Sequence, residues 1–163
     1  MVPRYNIAPS QPLPIIRTPG RLELLPWGRK FINVRVERAT TRSENRCLVV
    51  VDGFYEWRKP DKQPFYFHRV DGKPFALGGV TKGDEAAIAT CPAREGVVEL
   101  HDRMPVILRR EDCRTWLDPA TPPTTLHTLL APCPAEWLFA TPVSRAVNNP
   151  RNDSPACIEE SPP

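Results

Sequence analysis

Arg-Cys-Leu-Val-Val-Val-Asp-Gly-Phe-Tyr-Glu-Trp, residues 46–57, is the stretch of sequence that decides the fold. Residues 47–51 form an apolar run without alternation, which is typical of a strand covered on both faces. Asp52-Gly53 is a turn dipeptide, and the aromatic run after it favours a second strand over residues 54–57. We therefore expect a β-hairpin here, within a β-rich domain.

Further strands and helices are predicted on both sides of this stretch. Residues 31–37 alternate between apolar and polar side chains, which indicates a half-buried strand. Acidic residues followed by an apolar pair predict a short helix that starts near Arg110 and stops before Pro119. The remaining expected elements are a hairpin of residues 65–70 and 75–80 around Asp71-Gly72, a strand over 86–90 and a helix over 124–130.

Length and composition narrow the fold class. A chain of 163 residues is one domain on ordinary expectations, and 21 prolines favour short strands joined by shaped loops. We predict an α+β fold, a single β-rich domain over residues 1–153 with short peripheral helices, and a disordered tail over residues 154–163. The net charge of +3 is too small to indicate nucleic acid by itself.

Cofactor and membrane motifs are not found in the sequence. The five cysteines lack the close spacing of zinc sites, and there is no glycine-rich phosphate loop, so we expect no metal and no cofactor. No apolar run is long enough to span a bilayer, and no export signal is recognised. We therefore expect a cytoplasmic protein with reduced thiols that does not interact with membranes.

Four polar or aromatic positions are candidates for a functional site, and each also has a purely structural interpretation. Glu56 lies between aromatic residues that could raise its proton affinity, although it could equally be an exposed strand residue. His101 precedes Asp-Arg-Met-Pro in a loop, where most histidines are inert. Asn33 and Arg35 share the polar face of a strand, which is often simply solvated. Trp27 could stack on a base or fill a gap in the core.

Eight sequence blocks follow one another in a fixed order over nearly the whole chain. They are Pro-Arg-Tyr-Asn-Ile-Ala-Pro (3–9), Trp-Gly (27–28), Ile-Asn-Val-Arg-Val-Glu (32–37), Arg-Cys-Leu-Val (46–49), Asp-Gly-Phe-Tyr-Glu-Trp (52–57), His-Asp-Arg-Met-Pro-Val-Ile-Leu (101–108), Trp-Leu-Asp-Pro (116–119) and Val-Asn-Asn-Pro-Arg-Asn-Asp (147–153). Taken together, these blocks resemble the SOS response-associated peptidase (SRAP) family. The resemblance implies a β-rich α+β fold that recognises abasic sites in single-stranded DNA.

The resemblance also implies roles for the candidate residues. Asn33 matches the residue that orients the amino terminus and the sugar, and Arg35 matches a contact to a flanking phosphate. Glu56 matches the general acid/base, and His101 matches the residue that contacts the opened sugar and assists proton transfer. Trp27 matches a stacking or wedge residue beside the strand. The implied partner is single-stranded DNA with abasic sites, bound by a monomer that associates with the nucleoid.

The sequence departs from the family pattern at its amino terminus. Family members carry a cysteine after the initiator methionine, and its α-amine and thiol form a thiazolidine crosslink with the sugar aldehyde. Here Val2 follows Met1, the opening Cys-Gly-Arg segment is absent, and the segment between Trp27-Gly28 and Asn33 is short. An internal cysteine cannot replace the missing one because its nitrogen is in a peptide bond.

Three interpretations follow from this departure. The favoured one is that the start was assigned too far downstream, so that the native protein is a crosslinking enzyme. The second is a non-catalytic module that binds damaged single strands. The third is a residual lyase, in which the amine of Val2 forms a transient imine. The peptidase in the family name refers to self-processing, and no protease triad indicates cleavage of other proteins.

Overall fold

The computed structural model describes residues 2–39, 45–93, 97 and 100–161. Strands dominate this part of the chain, and the helices are short. The strands are β1 Pro12–Thr18, β2 Arg21–Pro26, β3 Asn33–Arg35, β4 Arg46–Val51, β5 Gly53–Trp57, β6 Pro64–Arg69, β7 Phe75–Lys82, β8 Glu85–Pro92, β9 Arg103–Pro105, β10 Ile107–Leu108 and β11 Leu138–Pro142. The α-helices are α1 Val36–Ala39, α2 Cys113–Leu117 and α3 Pro123–Leu129.

The described strands form two sheets. The first sheet has the order β2-β1-β4-β7-β8-β3, with β10 added to β7 and β9 added to β8. The second sheet has the order β11-β6-β5. The predicted β-rich α+β class with short helices is therefore confirmed. Just after β2, Trp27 pairs with Ala86 of β8, so the first sheet curves round and is partly closed.

The core lies where the first sheet is covered on both faces. Cys47 and Val49 of β4 are fully buried, as the unbroken apolar run predicted. On one side, the fully buried Trp116 of α2 donates its indole N–H to the Cys47 carbonyl at 2.8 Å. Arg46, also buried, donates to the Trp116 carbonyl at 2.5 Å and so fastens α2 to the start of β4. The predicted helices over 110–118 and 124–130 correspond to α2 and α3.

Both predicted hairpins are wrong in their pairing, although their strands exist. β4 pairs with β1 and β7 in the first sheet, whereas β5 pairs with β6 in the second. β6 pairs with β5 and β11, and β7 pairs with β4 and β8. Asp52 and the Asp71-Gly72 turn therefore carry the chain from one sheet to the other. The dipeptides supply the bend, but the burial of each strand's two faces selects its neighbours.

Two further expectations differ from the structure. The strand expected over residues 31–37 is limited to Asn33–Arg35, and Val36 begins α1. The tail expected to be disordered from residue 154 is packed on the domain as far as residue 161. Pro155–Cys157 form a 3-10 turn, Cys157 is 1% exposed, and Glu160 bridges to Val143. Burial of an apolar thiol and backbone pairing outweigh the turn-forming composition of this segment.

Candidate functional site

Glu56 lies on β5 of the second sheet, between Tyr55 and Trp57. Strand alternation puts it on the same face as Phe54, whose ring stacks on Phe67 of the core at 5.2 Å between centroids. Burial raises the pKa of the Glu56 carboxyl to about 7. The charge of His101 opposes this shift, and the charge of Asp102 adds to it. The direction of this shift is the one expected from the sequence, and the role of Glu56 as an acid/base stays a prediction.

His101 lies in the loop before β9, and its Nδ1 atom has partners for two protonation states. The Arg103 backbone N–H donates to Nδ1 at 3.1 Å, which suits an unprotonated Nδ1. The Arg103 carbonyl at 3.0 Å and the Asp102 carboxylate at 3.4 Å can each accept from a protonated Nδ1. In the described residues no hydrogen-bond partner is found for Nε2.

Glu56 is on β5 of the second sheet and His101 is in the loop before β9 of the first, yet the charge of His101 lowers the pKa of Glu56. Lys59, just beyond β5, adds a second link, because its Nζ is 3.9 Å from an Asp102 carboxylate oxygen. The structure thus brings two of the predicted site residues together at one end of the second sheet. A half-buried carboxyl whose pKa is about 7 is suited to donate and accept protons near neutral pH.

Asn33 and Arg35 lie on β3, at the edge of the first sheet, with exposed side chains on either side of the buried Val34. β3 runs parallel to β8, and Arg35 is paired with Thr90. On its other side Thr90 is paired with Pro105 of β9. β3 and β9 therefore flank β8 at a separation of roughly 10 Å, with His101 in the loop that enters β9.

Asn33 has no hydrogen bond to Glu56 or to His101 in the part of the chain that the structure describes. The convergence of all three side chains on one cleft therefore stays a prediction. The Arg103 guanidinium adds to the connection between the strands, because it donates to Thr90 Oγ1 at 3.0 Å and to the Thr90 carbonyl.

Trp27 is half-buried, packs against the core and donates its indole N–H to the Ile32 carbonyl at 2.8 Å. Residues 28–32 form a short loop that is hydrogen-bonded to β8 at both ends. The Gly28 N–H donates to the Ala86 carbonyl, and the Ile88 N–H donates to the Ile32 carbonyl. A Cβ atom at Gly28 would lie 2.3 Å from the Phe31 carbonyl oxygen, so the loop needs glycine there. The role of Trp27 as a stacking residue stays a prediction.

Sequence reasoning missed two exposed cations in this loop. Arg29 and Lys30 line an open cavity of about 390 Å³ together with Ser10, Pro26 and Glu85. The signal that could have found them is the pair of adjacent basic residues directly before the Asn33 strand.

The amino-terminal segment is fastened beside β5 by a polar cluster that sequence reasoning also missed. Asn6 is buried, and its side-chain amide donates to the carbonyls of Val147, Asn149 and Asn152 at 3.0, 3.3 and 3.0 Å. Asp153 accepts from the backbone N–H groups of Tyr5 and Asn6 and pairs with Arg4. The residues concerned lie in the first and last of the eight sequence blocks.

Tyr55 links this segment to the strand that carries Glu56. Its hydroxyl donates to the Tyr5 carbonyl at 2.5 Å and also lies 3.3 Å from the Cys157 carbonyl. Trp57 makes a similar contact, because its indole N–H donates to Asn148 at 2.7 Å. The residues on either side of Glu56 therefore hold the terminal segments against the second sheet.

The described residues contain no group of three or more His, Cys, Asp or Glu side chains that could hold a metal ion. None of the helices in the same part of the chain has the length and apolar character needed to cross a membrane.

Comparisons with known proteins give relatives over most of the sequence. The model of the SOS response associated peptidase (SRAP) family matches residues 1–150. The chain is 34% identical over 192 residues to the "Abasic site processing protein YoqW" of Bacillus subtilis, covering 96% of this chain and 86% of that protein. It is 33% identical over 186 residues to the "Abasic site processing protein YedK" of Escherichia coli, covering 96% and 84%.

Solved structures agree with these relatives. A protein of Bacteroides thetaiotaomicron superposes with a TM-score of 0.79 at 21% identity, covering 93% of this chain and 82% of the other, and shows the same fold. A phage-related protein of Bordetella bronchiseptica superposes with a TM-score of 0.70 at 32% identity, covering 86% and 81%.

Proposed function

Because the chain belongs to the SOS response associated peptidase (SRAP) family, we propose that it processes abasic sites in DNA and that it does so on single strands. The observation that supports this proposal is the raised pKa of Glu56, beside a segment that the contact between Lys59 and Asp102 links to the His101 loop. With a pKa of about 7, Glu56 is present in both protonation states near neutral pH. It can therefore donate a proton as the abasic sugar opens and accept one as an imine forms.

The remaining site residues bind and orient the strand. Arg35 is an exposed forked cation on the edge strand, suited to a phosphate beside the lesion. Asn33, two residues earlier on the same face, orients the sugar and the attacking amine. Trp27 contacts the strand through its ring, because its indole N–H is already used by the Ile32 carbonyl. Recognition of this kind does not depend on base sequence.

The covalent step requires a cysteine whose α-amine and thiol are both free. The amine condenses with the sugar aldehyde and releases water, and the thiol then adds to the imine carbon to close a thiazolidine. An α-amine has a pKa of about 8, so it is more often neutral at pH 7 than a lysine. The Tyr5 carbonyl accepts a hydrogen bond from the Tyr55 hydroxyl, so the amino-terminal segment is held against β5, the strand that carries Glu56.

The test mixes single-stranded DNA that holds one abasic site with two forms of the protein, the present sequence and one extended by Met-Cys-Gly-Arg. We expect a covalent shift on a denaturing gel and by intact mass only for the extended form. Glu56→Gln and His101→Gln in that form should each slow adduct formation by about 100-fold or more. Glu136→Gln and His127→Gln, at exposed positions, are the matched controls. Equal rates in all four variants would contradict the assigned roles.

The same experiment distinguishes the other two interpretations. Reversible, salt-dependent binding without an adduct in either form would favour a binding module. Removal of Met1 from the present sequence exposes the amine of Val2. Strand cleavage by this form, through an imine that borohydride traps, would favour a lyase.

A further inference from the structure

The turn between β5 and β6 presents a group of cations that the proposed acid/base chemistry does not use. Arg58 is paired with Asp61 through two bonds of 3.0 and 2.6 Å, which leaves Lys59 and Lys62 as the surplus charges of the turn. Arg145, from a neighbouring 3-10 turn, adds a third. We call Lys59, Lys62 and Arg145 the basic turn cluster.

Backbone and side-chain bonds fix the turn that carries Lys59 and Lys62 and orient the Arg145 side chain. The Arg58 N–H donates to the Gln63 carbonyl, and the Lys62 N–H donates to the Arg58 carbonyl, each at 2.9 Å. Gln63 is buried and anchors the turn to the Val143 carbonyl at 2.9 Å. Arg145 is oriented by its own bond to the Asp61 carbonyl at 2.8 Å. Charges that are positioned before binding lose less entropy when a ligand arrives.

The cluster lies at the rim of the proposed site. Lys59 is three residues beyond Glu56, and its ammonium is 3.9 Å from Asp102, the neighbour of His101. Arg35 is on β3, across β8 from the loop that holds His101 and Asp102. Cations are therefore present on both sides of the Glu56 and His101 pair, from two different sheets.

The cluster's present ionic contacts are weak. The Lys59 and Asp102 side chains are 61% and 73% exposed, and an exposed pair at 3.9 Å contributes little to stability. Within the ranges that the structure describes, neither Lys62 nor Arg145 has a carboxylate partner within 4 Å. These groups can accept a phosphate without losing a strong existing interaction.

We propose that the basic turn cluster binds backbone phosphates of the DNA strand on the side of the abasic sugar opposite to Arg35. This inference rests on the proposed function, because it assigns a second contact surface for the same ligand. Each cation contacts phosphate and not bases, so the contribution is independent of sequence and decreases as salt increases. Phosphates held on both sides of the sugar fix its position beside Glu56.

The test measures binding of single-stranded DNA that contains a tetrahydrofuran abasic analogue, by fluorescence anisotropy at several salt concentrations. Each phosphate contact to a single strand contributes about 0.7 to the slope of log affinity against log salt. We expect Lys59→Gln/Lys62→Gln to reduce the slope by about 1.4. Adding Arg145→Gln should reduce it by about 2 in total, equally for strands of different base sequence.

The matched control is Lys73→Gln/Arg110→Gln/Arg114→Gln. Lys73 is also 3.9 Å from a carboxylate, that of Asp71, and is 77% exposed, but it lies beyond the other end of β6 from Lys59. Arg110 and Arg114 are exposed near α2. A control slope close to that of the original protein supports the proposal, and an equal reduction in both triple variants overturns it, as does an unchanged slope in the double variant.

Two measurements keep the outcomes distinct. Thermal unfolding identifies a triple variant that has lost the turn, and the double variant, which keeps the Arg145 bond to Asp61, then decides the question. If the original protein binds no single-stranded DNA, the proposed function itself fails. If it binds and the cluster variants behave like the control, only the phosphate surface fails.

Discussion

At the scale of single residues, Glu56 shows how one carboxyl is prepared for proton transfer. Burial removes water from its charged form, so the protonated form persists to a higher pH in the protein than in water. The charge of His101 partly offsets this effect and lowers the pKa of the carboxyl. The cost is stability, because a group that ionises reluctantly in the native state ionises freely after unfolding.

This cost gives a prediction for Glu56→Gln. The pKa is raised to about 7 in the folded protein, so the stability that protonation supplies is present below about pH 4.5 and is lost as pH rises through 7. Between pH 5 and pH 8 the free energy of unfolding of Glu56→Gln should therefore rise relative to the original protein by on the order of 2 kcal/mol. Urea unfolding at both pH values measures this, with the exposed Glu136→Gln as control; parallel pH curves would contradict it.

At the scale of elements, the pairing of β5 with β6 is set by close contact between backbone and ring. Gly53 begins β5 directly after the chain leaves the first sheet, and it is paired with His68. Phe54 then stacks on Phe67 inside, while Tyr55 and Tyr66 lie 5.3 Å apart on the outer face. Glycine permits this approach because it has no Cβ atom to meet the Tyr66 ring.

We predict that Gly53→Ala destabilises the second sheet. The added Cβ would lie 2.4 Å from the Tyr66 ring and 2.5 Å from the Phe67 carbonyl oxygen, so backbone must move. The expected loss is about 2–4 kcal/mol in the free energy of unfolding. Gly72→Ala is the control, since its position has no atom within 4 Å of the added Cβ and has a φ of +65°, which costs about 1 kcal/mol. Equal losses would show that contact with Tyr66 is not the cause.

At the scale of the whole molecule, the two ends of the chain close over the second sheet. The segment at residues 4–6 is bonded to residues 147–153, and residues 155–160 continue along the same surface. Both end segments bond to the Tyr55 hydroxyl, next to Glu56. Residues 4–6 and 155–160 are therefore both attached to β5, the strand that carries Glu56.

We predict that ending the chain at Asp153 lowers the free energy of unfolding. The truncation removes the burial of Cys157, one hydrogen-bond acceptor of Tyr55 and the pairing of Glu160 with Val143. The expected loss is about 2–4 kcal/mol from one buried side chain and several backbone hydrogen bonds. Thermal and urea unfolding measure it against a chain that ends at Ser161. Identical unfolding curves for the two chains would show that residues 154–161 do not stabilise the fold.

Local patterns in the sequence were sufficient to predict most strands, the short helices and the environment of Glu56. The apolar run at residues 47–51 became the buried β4, and burial raises the pKa of Glu56 in the direction that the sequence predicted. These features are readable because alternation, turn dipeptides and neighbouring side chains act over a few residues. The family resemblance likewise followed from short blocks in a fixed order.

What only the tertiary structure decided is which distant segments meet. The Asp52-Gly53 dipeptide bends the chain whether or not β4 and β5 pair with each other. Burial of both faces of β4 required β1 and β7 as its neighbours, and β5 pairs with β6 in the second sheet. The bonds between Asn6 and residues 147–152 join segments more than 140 residues apart. Such pairings depend on the total area buried and on satisfying every buried polar group, which are properties of the assembled chain and of no single window of its sequence.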